Sequence, residues 1–216
     1  LNLSGVKKIS KERILVELYK ILNLKNFMNL NQSTDLKEIF TLIFPEFKNL
    51  RRLERLIKIC DHSQVSMNLL LAILLIDDQD THEYFAHKYN ISNNIKDNLN
   101  SLAKNFKLIK EKKSFFNKDL EKNIYLHNKN YLINLNILNF VINSSTKLKD
   151  FSDTFSKILK SKTHKFNIDG KYLIENGMQQ GSLVGKALKE IEEEWIKNNF
   201  QITKERVKEI IHSYAN

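Results

Sequence analysis

The chain has 216 residues, 42% of them hydrophobic, and a formal net charge of +10 at pH 7. This hydrophobic fraction is adequate for a buried core and argues against a disordered chain, while 5 Gly and one Pro supply too little turn chemistry for an all-β fold. An excess of Lys and Arg is typical of proteins that bind RNA, DNA or an anionic membrane, although A/T-rich coding also enriches a sequence in Lys, Asn and Ile.

Apolar residues recur at helical spacing along the whole chain, so we expect a nearly all-α protein without a sheet. The first helix is predicted from about residue 11 to 22, with Ser10 as its N-cap and Glu12 in its first turn. A second helix begins near Asp35 and ends at Phe44. Further helices are predicted at about 48–60, 65–77, 80–89, 92–109, 115–126, 130–143 and 147–161. No repeat of fixed period is evident, which favours a compact helical array over a solenoid.

The last part of the chain concentrates the glycines, because four of the five are Gly170, Gly177, Gly181 and Gly185. A short helix is predicted to start after Asp169 and to run through Asn176, with Gly177 just beyond its end, where φ must be positive. A long helix is predicted for residues 182–197, and a last helix, capped by Thr203, runs to Tyr214.

The start of the long helix is a predicted phosphate-binding surface. A helix N-terminus presents unpaired N–H groups and a partial positive charge, and Gly181, just before Ser182, leaves those groups open to an anion. Gly185 lies one turn inside the helix, where glycine costs about 1 kcal/mol relative to Ala, which indicates close approach by another backbone, of protein or nucleic acid. The lysines predicted to surround this start are Lys162, Lys165, Lys171, Lys186 and Lys189. The alternative is a helical hairpin whose glycines only allow tight packing.

Other residues that could carry chemistry favour structural interpretations. The run Asp77-Asp78-Gln79-Asp80 contains a D-x-D, but metal-dependent nucleotidyl transfer needs carboxylates fixed beside a phosphate-binding turn. Capping and solvation therefore explain this run better than a metal site. We interpret three histidines as surface residues and three aromatic residues as core residues rather than base-stacking groups. These are His62, His82 and His87, and Phe115, Phe116 and Tyr125.

No signal peptide or membrane-spanning segment is evident, since the longest apolar run, residues 69–76, is much shorter than a spanning helix requires. Cys60 is the only cysteine, which excludes an intrachain disulfide and a Cys-based zinc cluster. We therefore expect a cytoplasmic protein without a membrane partner.

The glycine-rich segment FNIDGKYLIENGMQQGSLVGKALKEIEEEWIKNNF, residues 166–200, resembles the C-terminal part of bacterial CCA-adding enzymes and poly(A) polymerases, the class II nucleotidyltransferases. The family pattern is loosely G-x-D-L, then G, then G-P-x-x-G and a long helix. The residues that match it in order are Gly170, Leu173, Gly177, Gly181 and Gly185. Ser182 stands where the family usually has Pro, and Tyr172 stands where it has Asp.

A second resemblance lies at the other end of the chain. The run GVKKISKERILVELYKIL, residues 5–22, is similar to the neck motif of the same family, I-S-x-E-R-I-x-x-E-L. The matching residues are Ile9, Ser10, Glu12, Arg13, Ile14, Glu17 and Leu18. In the family this helix supports the nucleotide-selecting helix and performs no chemistry, so a structural role is implied for Ser10, Glu12 and Arg13.

The resemblance also implies what lies outside this chain. In the family, an α/β head with a D-x-D pair for two Mg²⁺ ions precedes the neck motif, and it binds CTP or ATP. Only eight residues precede Ile9 here, so we expect no cofactor and no catalytic carboxylates in this chain. It would belong to a transferase family without containing the polymerising site, either as a fragment of a longer product or as one chain of a split gene.

Together these features predict three regions: a neck-like helical region (1–62), a helical body (63–162) and a tail-like RNA-contacting region (163–216). The implied function is to hold tRNA or another RNA during tRNA processing, while a head, which would be a separate partner chain in the split-gene case, extends the 3′ end. The alternative is a helical protein-interaction scaffold without RNA function, which predicts a partner helix in an apolar groove.

Overall fold

The computed structural model describes residues 9–61 and 64–215, and over these residues the protein is all-α, with twelve α-helices and no strand. The helices are α1 (Lys11–Leu22), α2 (Thr34–Ile43), α3 (Leu53–Leu56), α4 (Met67–Leu75), α5 (Thr81–Tyr89), α6 (Asn93–Glu111), α7 (Leu120–His127), α8 (Lys129–Ile142), α9 (Leu148–Lys160), α10 (Gly170–Glu175), α11 (Ser182–Lys197) and α12 (Lys204–Ala215). This confirms the predicted multi-helical array. Over the same residues, no helix is both long enough and apolar enough to cross a membrane.

The chain divides into two compact units. The large unit contains residues up to Asn117 together with Lys129–Leu159, and the small unit contains Lys118–Asn128 together with residues from Lys160 onward. Helix α7 therefore belongs to the same unit as α10, α11 and α12. The three predicted regions divide the chain at residues 62 and 162, which are not the boundaries of these two units. The division into three regions remains a prediction.

Helix α4 is the centre of the large unit. All of its side chains from Leu69 to Leu75 are buried, as expected for a helix that is apolar on every side. It contacts α1, α5, α6 and α8. A second part of this core is a series of phenylalanine rings whose centroids lie 5.2–6.1 Å apart. These rings belong to Phe27, Phe40, Phe44, Phe47 and Phe85.

The predicted helix at residues 48–60 is wrong in its form. The structure has a 3₁₀ turn at Leu50–Arg52, followed by the single-turn helix α3. The buried residues Leu50, Leu53 and Leu56 are spaced by three, and in a 3₁₀ helix residues three apart lie on the same side. The spacing of the buried leucines therefore matches the tighter winding better than a long α-helix.

Two arginines of this segment cap other helices. Arg52 Nη1 donates to the carbonyls of Ile73 and Ile76, both at 2.7 Å. Arg55 Nη2 donates to the carbonyl of Phe140 at 2.7 Å, and its guanidinium lies 4.3 Å from the centroid of that ring. The last carbonyls of a helix have no partner within the helix and carry partial negative charge. Arg52 and Arg55 thus satisfy the C-terminal ends of α4 and α8.

The small unit has its own core between α10, α11 and α12. Its buried members are Leu173, Met178, Ala187, Ile191, Val207, Ile210 and Ile211. Both predicted caps in this unit are confirmed, since Asp169 Oδ1 accepts from the amide of Tyr172 at 2.9 Å and Thr203 Oγ1 accepts from the amide of Arg206 at 3.2 Å. These caps fix where α10 and α12 begin.

Helix α1 begins as the sequence predicts. Ser10 is its N-cap, and the Ser10 hydroxyl accepts from the amide of Arg13 at 3.3 Å. Hydrogen bonds from its own backbone and from Ser10 lower the pKa of the Glu12 carboxyl, as expected for a carboxylate in a first turn. Ser10 and Glu12 therefore have a structural role in the helix start, and Arg13 is exposed.

Candidate nucleic-acid interface

Helix α11 begins at an exposed end that no side chain caps. Its N-cap residue is Gly181, in extended backbone conformation (φ 164°, ψ −171°), and no side-chain cap bond forms there. Gly181, Ser182 and Leu183 are all exposed. Val184 N donates to Gly181 O at 3.2 Å, but within the described residues the amides of Ser182 and Leu183 have no hydrogen-bond partner. The predicted open helix start is therefore present.

The glycines around this start have different roles. A Cβ added at Gly181 or Gly185 would meet no described atom within 4 Å, so the close protein backbone considered for Gly185 is not found in this part of the chain. Gly177 has φ of 102°, which confirms its predicted position after α10. Only at Gly170 is packing tight, since a Cβ would lie 3.3 Å from Val184 Cγ1. Tight packing therefore explains Gly170 and does not explain Gly181 or Gly185.

All five lysines predicted around this start are exposed: Lys162, Lys165, Lys171, Lys186 and Lys189. Lys171 pairs with Glu175 at 3.7 Å and Lys189 pairs with Glu193 at 3.8 Å, both one turn apart on a single helix. Such exposed pairs contribute little free energy, so they do not prevent a lysine from turning to a phosphate.

Charge in the small unit is unevenly distributed along the sequence. Residues 160–189 contain six Lys against two acidic residues, whereas residues 190–216 contain four Lys and Arg against six Glu. Within α11 the first glutamate is Glu190, so the basic excess lies with the first half of α11 and the segment before it. A polyanion is therefore attracted to the start of α11 and repelled by its second half.

The second half of α11 is held by ionic and aromatic contacts. Arg206 Nε shares its one N–H between the two carboxylate oxygens of Glu194, at 2.9 and 3.1 Å, and Arg206 Nη1 donates to Glu209 Oε2 at 2.9 Å. Trp195 packs edge-on against Tyr125 and Phe200, with centroids 5.3 and 4.9 Å away. Tyr125 is thus a packing residue, as predicted.

The hydroxyl of Tyr125 has a hydrogen-bond partner within the small unit. Its hydroxyl donates to Glu192. Burial, and then this bond to a carboxylate, raise the pKa of Tyr125 to about 12. The phenol therefore stays neutral and bound at neutral pH.

The connector before α10 is fixed by His164. Its ring stacks on Phe200, with centroids 3.7 Å apart and planes 8° from parallel, and its Nε2 lies 2.6 Å from Glu121 Oε2. The hydrogen bond to His164 is the main cause that lowers the pKa of Glu121, and Lys162 contributes as well. The backbone of the connector that carries Lys162 and Lys165 is thereby held against α7.

The aspartate run at 77–80 has the capping role that the sequence predicted. Asp77 Oδ1 accepts from the amides of Gln79 and Thr81, at 3.0 and 3.1 Å, and the side chain of Asp78 is 94% exposed. Asp80 Oδ1 lies 3.3 Å from Lys107 Nζ. No group of three or more His, Cys, Asp or Glu side chains in the described ranges could hold a metal ion.

The interpretation of the histidines is partly wrong. His87 is exposed, but His82 is only 3% exposed, and His62 lies outside the described residues. The spacing of His82, Phe85, Ala86 and Tyr89 by three and four residues was the signal that could have placed His82 on the buried face of α5. Phe115 is buried, as its predicted core role requires, and Phe116 is partly buried against it.

Comparison with known proteins finds no matching family model, no matching curated protein and no matching solved structure. The resemblance to class II nucleotidyltransferases therefore rests on the two sequence motifs alone.

Proposed function

We propose that this chain binds RNA at the start of α11, as the C-terminal region of a protein of the CCA-adding enzyme or poly(A) polymerase class. It holds tRNA, or another RNA, in place while a catalytic head carried by another stretch of polypeptide adds nucleotides to the 3′ end. Mg²⁺ and CTP or ATP bind the head in this proposal. Its cellular compartment is the cytoplasm.

The observation that carries the proposal is the open start of α11. The amides of Ser182 and Leu183 are exposed and unpaired within the described chain, and Gly181 puts no Cβ in front of them. Backbone amides at a helix start bind phosphate through hydrogen bonds and through the positive end of the helix dipole. A phosphate of an RNA backbone therefore fits this site.

The lysines extend the site from one phosphate to several. Lys165 and Lys186 are exposed and form no ion pair within the described residues, so binding phosphate breaks no existing contact of theirs. Contacts of this kind fix the position of the backbone without reading bases. They also make affinity depend strongly on salt, because bound phosphates release counterions.

A tRNA filter-binding titration tests the proposal. The triple variant Lys165→Glu, Lys171→Glu and Lys186→Glu is expected to bind on the order of a hundredfold more weakly than wild type. The matched control carries the same change in charge at Lys197, Lys204 and Lys208, which are also exposed but lie in the acidic part of the small unit. We expect the control to retain most of the affinity, and equal losses in both variants would contradict a specific site.

One observation favours the second candidate, a protein-interaction scaffold. An apolar groove of about 610 Å³ lies between α1, α2 and the 3₁₀ turn at Phe27–Gln32. Two of its side chains, Leu24 and Leu36, are 59% and 55% exposed. An amphipathic partner helix fits a groove of this kind. The scaffold predicts that Leu24→Asp and Leu36→Asp abolish partner binding and that tRNA does not bind at any salt concentration.

A further inference from the structure

A cleft in the small unit lies between the end of α11 and the start of α12. Its volume is about 550 Å³, which falls within the range of roughly 300–1,000 Å³ that is usual for small-molecule sites. Its walls are the last turn of α11, the first turn of α12 and the turn that joins them. We refer to it as the α11–α12 cleft. Along the helix, it lies about 20 Å from the open amides of Ser182 and Leu183.

Two aromatic rings, those of Trp195 and Phe200, line the cleft and are held in place by their neighbours. The ring of Phe200 stacks on His164 with centroids 3.7 Å apart. Trp195 packs against Phe166 and Phe200, at 5.3 and 4.9 Å between centroids. Both lining side chains stay partly exposed. The cleft therefore presents a preformed aromatic surface.

The backbone is strained at the residue that carries one of these rings. Asn199 and Phe200 both have a left-handed φ, 54° and 62°, and this region is unfavourable for a residue with a bulky side chain. The amide of Phe200 donates to the carbonyl of Trp195 at 2.8 Å, which holds the turn. A glycine would end α11 here without strain. Strained residues of this kind cluster at ligand-binding sites.

The polar side chains of the cleft supply hydrogen-bonding groups without a net charge. Among its described lining residues, the charged ones are Glu194 and Arg206, and these two are paired with each other at 2.9 Å. Asn198 and Gln201 also line the cleft and are exposed. Their side-chain amides have no hydrogen-bond partner within the described residues, and each amide offers both donors and an acceptor.

These features indicate an uncharged, planar ligand with donors and acceptors on its edge. An anion such as phosphate would be repelled by Glu194 and by the other glutamates in the second half of α11. A purely apolar ligand would cover the amides of Asn198 and Gln201 without bonding to them. A nucleobase suits both parts of the cleft, because its face packs on aromatic rings and its edge bonds to side-chain amides.

We propose that the α11–α12 cleft takes up one unpaired base of the RNA whose backbone binds at the start of α11. The inference deepens the proposed function and rests on it for the source of the base. A few nucleotides of single-stranded RNA span the distance between the two sites. The base is also the part of a nucleotide that the acidic half of α11 does not repel. The RNA is thus held by its phosphates at one end of the helix and by a base at the other.

The first test uses the fluorescence of Trp195, which is the only tryptophan of the chain and therefore reports directly on the cleft. We expect adenosine to quench this fluorescence saturably, with an affinity that does not depend on salt because the nucleoside carries no phosphate. Ribose 5-phosphate, which carries the anion but no base, is the control and should not quench. Absence of saturable quenching by adenosine, or equal quenching by ribose 5-phosphate, would overturn the proposal.

Variants of exposed residues test the two amides without disturbing the core. Asn198→Ala and Gln201→Ala are each expected to weaken adenosine binding about fivefold, because one hydrogen bond is lost. The matched control is Gln179→Ala, which is also exposed but lies outside the cleft and should bind adenosine as wild type does. Wild-type affinity in both cleft variants would contradict the proposal.

A short single-stranded RNA and an abasic strand of the same length test the source of the base. Both should bind through their phosphates, but only the RNA should quench Trp195. Equal quenching by the two strands, or none by the RNA, would overturn the proposal, and tRNA binding that still depends on Lys165 and Lys186 would leave the proposed function standing. If adenosine quenches but no RNA binds, the RNA source and the proposed function fall together.

Discussion

The first amides of α5 and of α11 have no acceptor within their own helices, and the two helix starts differ in whether the protein supplies one. At α5, the protein fills the helix start itself, since Asp77 accepts from the amides of Gln79 and Thr81 and from the Thr81 hydroxyl at 2.6 Å. At α11, Gly181 provides no cap and the next two amides stay open. The aspartate run at the start of α5 looks more like a reaction centre, but its acceptors and the helix amides satisfy one another within the protein. The glycine sequence leaves groups for a ligand.

The pKa of Asp77 agrees with its role as the acceptor at the start of α5. Burial by itself would raise the pKa of Asp77, but its hydrogen bonds from Thr81 and Gln79, and the nearby Arg52, outweigh burial and lower it. The ionised carboxylate is thus the form that the folded protein prefers. Asp77 accepts three hydrogen bonds at the start of α5, out of about four that a carboxylate can accept, so its negative charge is used within the protein.

The largest expected effect on stability is the loss of the α5 cap. Asp77→Ala should lower the free energy of unfolding by about 2 kcal/mol, because it leaves two amides and a hydroxyl without their acceptor. Urea denaturation measures this change. Asp78→Ala is the matched control, since its side chain is 94% exposed, and a loss for it as large as that of Asp77→Ala would contradict the assignment of the cap.

The contribution of Asp77 to the free energy of unfolding should depend on pH. Because the folded-state pKa of Asp77 is lowered, its stabilisation is fully present above its unfolded value of about 3.9 and is lost as pH falls through the lowered folded value. The difference in unfolding free energy between wild type and Asp77→Ala should therefore shrink as pH falls below about 4. A difference that stays constant down to pH 2 would show that the charge of Asp77 does not matter.

A smaller effect is expected when α11 is given a start like that of α5. Gly181→Asp places a carboxylate at the N-cap, where it gains a few tenths of a kcal/mol over glycine (about 0.3 kcal/mol). Its carboxylate also accepts hydrogen bonds from the amides of the first turn and repels phosphate, so tRNA should bind about fivefold more weakly. Thermal unfolding and the tRNA titration measure the two changes, and Gly181→Asn controls for the added side chain without its charge.

At Gly185, a substitution by alanine is expected to change stability and RNA binding in opposite directions. Since an added Cβ meets nothing within 4 Å, Gly185→Ala should stabilise α11 by up to about 1 kcal/mol. If an RNA backbone approaches this glycine, the same change weakens tRNA binding although the protein is more stable. Gly170→Ala is the contrast, because its Cβ would lie 3.3 Å from Val184 Cγ1, and it should not stabilise the protein.

Local features of this chain could be predicted from the sequence. Ser10, Asp169 and Thr203 cap the helices that they were expected to cap, because an N-cap depends on residues only two or three positions apart. The exposure of Gly181 and its neighbouring lysines also agrees with the prediction. Helical spacing accounts for the all-α class over the described residues.

Features that depend on distant residues could not be predicted. Arg55 donates to carbonyls 85 and 91 positions away, and no local pattern indicates such a partner. Close approach of another protein backbone to Gly185 is not found in the described part of the chain, whereas approach by a nucleic-acid backbone stays a prediction. The burial of His82 differs from these cases, because its spacing with Phe85 and Tyr89 indicates the buried face of α5. The prediction of a surface residue followed its residue type instead of this spacing.

The dependence of tRNA affinity on salt tests the central claim most directly. For wild type, the logarithm of the binding constant should fall linearly with the logarithm of salt concentration, and the triple variant of Lys165, Lys171 and Lys186 should lower this slope by about one unit for each lysine that contacts phosphate. The control variant of Lys197, Lys204 and Lys208 should keep the wild-type slope. Binding that does not respond to salt, or a slope that the triple variant leaves unchanged, would contradict an RNA site at the start of α11.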